Sequence, residues 1–216
     1  MAKAVHVKSA QKNIYHQGKM IEYVSKKGKK AGQTKSKRDR TVPNDENDPI
    51  FIAKGESYYW WAFQYGGKHY SKTAPKRSQL TQSEFLIQLY DLEDRVEIFT
   101  ASDKDDFESQ RDELVQDINT LKEECEEKLS NMPDQLQTAP TGEMIQERID
   151  GLDSWASDLE GIECDYEGEE LREEVNEEKD EDEELSEEEI EEKVKEKIQE
   201  KVDEAIEELQ GTSANL

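Results

Sequence analysis

Residues 50–73 read IFIAKGESYYWWAFQYGGKHYSKT, and this stretch decides the fold of the N-terminal part of the chain. IFIA (50–53) is a candidate strand and KGES (54–57) is turn-like. YYWWAFQY (58–65) is a dense aromatic strand, and KHYSKT (68–73) is a basic one. The Gly66-Gly67 pair between them predicts a tight two-residue hairpin, because glycine takes positive φ without a steric penalty. Strand alternation puts Tyr58, Trp60, Ala62 and Gln64 on one face and Tyr59, Trp61, Phe63 and Tyr65 on the other. Both faces carry large rings, and one hairpin cannot bury both. Trp60 or Trp61 is expected to be buried, with the opposite ring partly exposed.

Working downstream, Thr81 followed by Glu84 fits a capping box. A helix from about Gln82 to Leu92, with the stripe Phe85, Leu86, Leu89 and Tyr90, is the expected cover for one face of the hairpin. Working upstream, IEYV (21–24) reads as a short strand. SKKGKKAGQTKSKRDR (25–40) holds eight Lys/Arg and one Asp, with no large apolar anchor. Residues 25–49 therefore read as a mobile basic loop within a 1–95 domain.

Beyond this domain the period changes to that of helices. Phe107, Leu114, Ile118, Leu121 and Cys125 recur at helical spacing over about 104–129. After a break containing Pro133 and Pro140, Ile145, Ile149, Leu152, Ala156 and Leu159 do the same, with Thr141 as candidate cap. The pair predicts an acidic antiparallel helical hairpin over 104–162. Residues 161–192 contain 19 Asp/Glu against two Lys/Arg, so 163–185 reads as an extended or loosely helical acidic linker. Ser186 and Glu189 form another capping box, opening an amphipathic helix over 186–210. Its stripe of Ile190, Val194, Ile198, Val202, Ile206 and Leu209 is a candidate protein-binding or self-association surface, or the third member of a bundle. The fold class is α+β: a small hairpin or three-stranded sheet with one helix, then the helical hairpin and the separate C-terminal helix.

Charge separates the same two halves. The net charge is -25, yet residues 1–80 hold 17 of the 29 Lys/Arg and only six of the 54 Asp/Glu. A basic half is drawn to phosphate polymers or to an acidic protein surface. The acidic half repels nucleic acid and can keep the chain soluble or mask the basic half. Cys125 and Cys164, the two cysteines, form no CxxC pair, so no disulfide framework is expected. There is no signal-like start and no run of apolar residues long enough to span a bilayer. A cytoplasmic location without membrane contact is expected.

Chemistry-bearing motifs are lacking. His6, His16 and His69 have neither HExxH spacing nor a cysteine pair beside them. No phosphate-binding GxxxxGK[ST], GxGxxG or GxSxG is present, and the acidic run lacks the order of a calcium loop. No catalytic residue, metal, cofactor or small-molecule substrate is expected, and the chain reads as non-enzymatic. The basic half offers more. Trp60, Trp61, Phe63, Tyr65 and Tyr70 supply rings, and Lys68, Lys72, Lys76 and Arg77 supply charge around them. Lys26, Lys27, Lys29, Lys30, Lys35, Lys37, Arg38 and Arg40 form a basic arm. Rings that stack bases beside cations that meet phosphates are the chemistry of DNA or RNA binding, although aromatic strands more often serve as core.

WWAFQYGGKHYSKT resembles the arm-type DNA-binding module of tyrosine recombinases, in which a strand, a glycine turn and a basic strand precede a helix. That resemblance implies that Trp61, Phe63, Lys68, Tyr70 and Lys72 share the sheet entering a major groove. The longer KGESYYWWAFQYGGKHYSKTAPKRSQLTQSEF is similar to a group of uncharacterised conserved proteins of bacteria and their phages. It implies a bacterial or phage-infected cell as the source and supplies no activity. Three roles follow from the sequence: a nucleic-acid-associated accessory protein, an adaptor or inhibitor whose acidic helices mimic nucleic acid, and a structural or assembly protein.

Overall fold

The computed structural model describes residues 1–25, 32–64, 66–177 and 186–214. It is α+β and divides into two units, Met1–Ser83 and Glu84–Leu216. The first holds β1 (Val5–Val7), β2 (Ile14–Tyr15), β3 (Lys19–Val24), β4 (Thr34–Asp39), β5 (Ile50–Ile52), β6 (Tyr58–Phe63) and β7 (Gly67–Ser71), then a 3-10 turn at Arg77–Leu80. The aromatic strand is central to an antiparallel sheet of order β1-β6-β7, while β2 pairs with β5 and β3 with β4. This is a more divided architecture than a single hairpin or three-stranded sheet.

Two local expectations shift. Phe63 pairs with Gly67, so the turn lies earlier than a Gly66-Gly67 loop would place it, and Gly67 takes the positive φ of 78°. The 25–49 segment is not simply a loop. TKSKRD pairs along its whole length with β3, from Val24↔Thr34 to Lys19↔Asp39. It has no apolar residue to reveal a strand period, and backbone pairing with β3 sets its register. The expected lysine-rich part of the arm, including Lys26, Lys27, Lys29 and Lys30, lies outside the described residues.

The apolar centre of this unit is small: Ala10, Ile14 and Ile52 are buried, with Phe51, Tyr58 and Tyr70 packed against them. Trp61 is buried at 5 % exposure and Trp60 is half-buried, as the alternation requires.

The second unit holds α1 (Glu84–Glu97), α2 (Lys104–Ser130), α3 (Asp134–Gln137), α4 (Pro140–Glu160), α5 (Gly168–Glu177) and α6 (Glu187–Gln210). Bonds from α2 to α4 and to the segment that follows it run Lys122–Asp153 (2.7 Å), then Arg111 to the Ile162 carbonyl (2.7 Å), then Lys104–Asp165 (2.9 Å). Numbers fall on one side as they rise on the other, which is the antiparallel hairpin read from the periodicity. Pro140 sits in the first turn of α4 and Ala139 is its N-cap, so Thr141 is inside the helix rather than capping it.

α1 was expected to cover the sheet as part of a 1–95 domain. Instead it belongs to the helical unit: Phe85, Leu89, Leu92 and Val96 share one core with Phe107, Ile118, Leu152 and Trp155. Gln88 donates to Glu124 at 3.2 Å, and Arg95 pairs with Asp117. A long apolar partner surface on α2 and α4 accounts for this choice.

α6 opens with the expected capping box, in which Ser186 and Glu189 bond reciprocally. Its stripe is not left free for a partner. Val202, Ala205 and Leu209 lie in the main core, with Ile198 and Ile206 packed on its edge. Ile190 is also buried and Val194 is half-buried. The bundle option is therefore the one realised. Part of the expected acidic linker is α5, whose Glu174 meets Lys197 of α6 at 3.3 Å. Leu171 and Val175, four apart, give it a buried edge that the surrounding charge conceals in sequence. Among the described residues, no helix is long and apolar enough to cross a membrane.

Candidate nucleic-acid interface

The β3–β4 pair is a ribbon with little behind it. Every residue of KMIEYV and TKSKRD is exposed or half-exposed. Pairing fixes which side chains share a face. Ile21 opposes Lys37 and Tyr23 opposes Lys35, so Lys19, Ile21, Tyr23, Lys35 and Lys37 lie on one face. Met20 opposes Arg38 and Val24 opposes Thr34 on the other. Lys37 stands over the Tyr23 ring at 5.5 Å. Met20 (54 % exposed) and Val24 (55 %) are open to solvent.

The base of the ribbon is held by the buried Asp48 and the half-buried Arg40. Asp48 accepts from the backbone N–H groups of Gln17 (2.9 Å), Gly18 (2.8 Å) and Asn44 (3.0 Å). Burial opposes ionisation of Asp48, but these three donors outweigh it and hold its carboxyl below the usual aspartate range. Gly18 takes φ 66°, and a Cβ there would lie 2.5 Å from the Arg40 Cα. Arg40 donates from Nε to the Tyr15 carbonyl at 2.7 Å. Its guanidinium lies 5.3 Å from the centroids of both Phe51 and Tyr70. Arg40 was expected among the phosphate-binding cations. It serves instead as a brace between the ribbon and the small core, because its planar cation stacks on rings while its N–H satisfies a carbonyl. Asp39 ends β4, and the Thr41 backbone N–H and hydroxyl hold its carboxyl low.

The aromatic sheet does not gather its expected residues on one surface. Trp61 pairs with His69 and stacks on it at 5.6 Å, and Phe63 meets the same ring edge-on at 5.4 Å. Lys68 and Tyr70 pair with Ala62 and Trp60, so they belong to the opposite face. The grouping of Trp61, Phe63, Lys68, Tyr70 and Lys72 as one surface is thus split by strand alternation. Lys68 sits over Trp60 at 4.5 Å, and Lys72 pairs with Glu56 at 3.4 Å. Tyr70 packs at the small core, where burial pushes its hydroxyl pKa up. Lys76 and Arg77 are exposed at the start of the 3-10 turn.

Lys35, Lys37 and Arg38 are the expected cations that the ribbon brings together. Lys19, Met20, Tyr23 and Val24 complete it and were not singled out. The signal for them was the IEYV strand, which lacked a visible partner. Asp48 was also missed, because its role depends on three N–H groups distant from it or shaped by a turn.

Among the described residues, no group of three His, Cys, Asp or Glu is placed to hold a metal ion. Comparison with protein-family models, curated proteins and solved structures found no match.

Proposed function

We propose that this chain is a non-enzymatic nucleic-acid-associated protein that binds phosphate backbones through the β3–β4 ribbon. The observation that carries this reading is a two-stranded ribbon exposed on both faces and bearing Lys19, Lys35, Lys37 and Arg38. A two-stranded hairpin is marginal in water by itself. Here Asp48 and Arg40 fasten its base, so the cations are presented on a fixed platform at reduced entropic cost. Cations so placed gain affinity by releasing counterions from the polymer. The acidic helical unit has the wrong sign for this contact, and we assign it to protein binding or to tuning affinity.

The test is fluorescence anisotropy of the full chain with a labelled mixed-sequence oligonucleotide, between 50 and 200 mM salt. Lys35→Ala with Lys37→Ala should weaken binding and reduce the salt slope by about 2, near 0.9 per lost phosphate contact. Circular dichroism of the variant checks its fold. No binding by the native chain at low salt, or a slope unchanged in a folded variant, sinks the reading.

A further inference from the structure

Resting on that reading, we infer that the nucleic acid is a B-form DNA duplex, entered through its major groove by the β3–β4 ribbon. Two independent observations point there. The first is the condition of the rings. Sequence-tolerant binding of single strands needs open aromatic faces on which bases stack. In β6 no ring is exposed: Trp61 is stacked on His69, and Phe63 meets that ring edge-on. Trp60 carries Lys68 over its face, and Tyr58 and Tyr70 pack at the small core. Among the described rings of β6, none is left exposed as a platform for single-stranded bases.

The second is the shape of the ribbon. Two antiparallel strands are about 5 Å apart, and six residues extend about 20 Å. That matches the B-form major groove, about 12 Å wide, which admits a two-stranded ribbon, whereas the minor groove is about 6 Å wide. The major groove of duplex RNA is too deep and narrow for side chains to read. Lys35 and Lys37 stand on one face, with Asp39 at its end, and Arg38 and Met20 stand on the other, with Glu22 beside them. Arginine suits a guanine edge and an apolar side chain suits a thymine methyl, so both faces carry groups that a groove can use.

The experiment measures the native full chain against three probes of one mixed sequence: duplex DNA, duplex RNA and single-stranded DNA, at equal salt. Duplex DNA should bind at least tenfold tighter than either alternative. A saturating A·T minor-groove ligand should change that affinity less than twofold. Single-stranded DNA or duplex RNA binding as tightly as duplex DNA overturns the inference while leaving phosphate binding intact. Displacement by the minor-groove ligand overturns the groove assignment. Failure of all three probes to bind overturns the underlying reading as well.

Discussion

Leu209→Ala tests where the last helix spends its apolar stripe. Leu209 is fully buried, at 0 % exposure, in a core that also holds Val202, Trp155 and Leu159. The substitution removes three buried carbons, worth about 0.8 kcal/mol each, or roughly 2.4 kcal/mol together. The cavity left behind raises the loss to about 3 kcal/mol. That is on the order of 100-fold in the folding equilibrium, a large share of a typical domain's stability. Urea titration followed by far-UV circular dichroism reads it directly. With a slope of about 2 kcal/mol per molar, the midpoint should fall by about 1.5 M. Glu207→Ala, at an exposed site two residues away, should stay within about 0.5 kcal/mol. Because the stripe packs within one chain, the midpoint should not depend on protein concentration. A loss below about 1 kcal/mol, or a midpoint that rises with concentration, would refute intramolecular docking and place the stripe between copies.

Gly18→Ala should loosen the ribbon base, since its Cβ would meet backbone atoms of Arg40 and Asp39 at a φ of 66°. A left-handed non-glycine residue alone costs about 1–2 kcal/mol, and faster amide exchange in β3 and β4 with the helical core unchanged is the expected result. Asp48 gives a pH dependence. Its folded carboxyl is held below the ordinary value of 3.8, so its contribution is present above that value and is lost as pH falls through the lower folded one. Amide exchange of Gln17, Gly18 and Asn44, corrected for intrinsic rates, should lose protection only in acid, and loss near neutrality would contradict the clamp. Burial pushes both the Cys125 and Cys164 thiols up, so a disulfide reagent at pH 8 should react slowly with native protein and rapidly in denaturant. Equal rates would show that these side chains are accessible.

By itself the sequence determined the parts whose apolar residues repeat with a clear period. The α2–α4 hairpin and α6 have stripes three and four residues apart, and the Ser186–Glu189 cap fixes the start of the last helix within one residue. The aromatic strand and its basic neighbour were equally legible, because β-rich residues flank a glycine turn. Only the tertiary structure decided partners. A stripe states that it must be buried and does not say against what, so α1 joined α2 and α4 rather than the sheet, and α6 closed on its own chain. β4 was hidden because TKSKRD has no apolar face, and its backbone pairing with β3 leaves no period in the sequence. The split of the expected binding surface has the same origin. Which side chains share a sheet face depends on register, and a single-residue change in pairing exchanges the two faces.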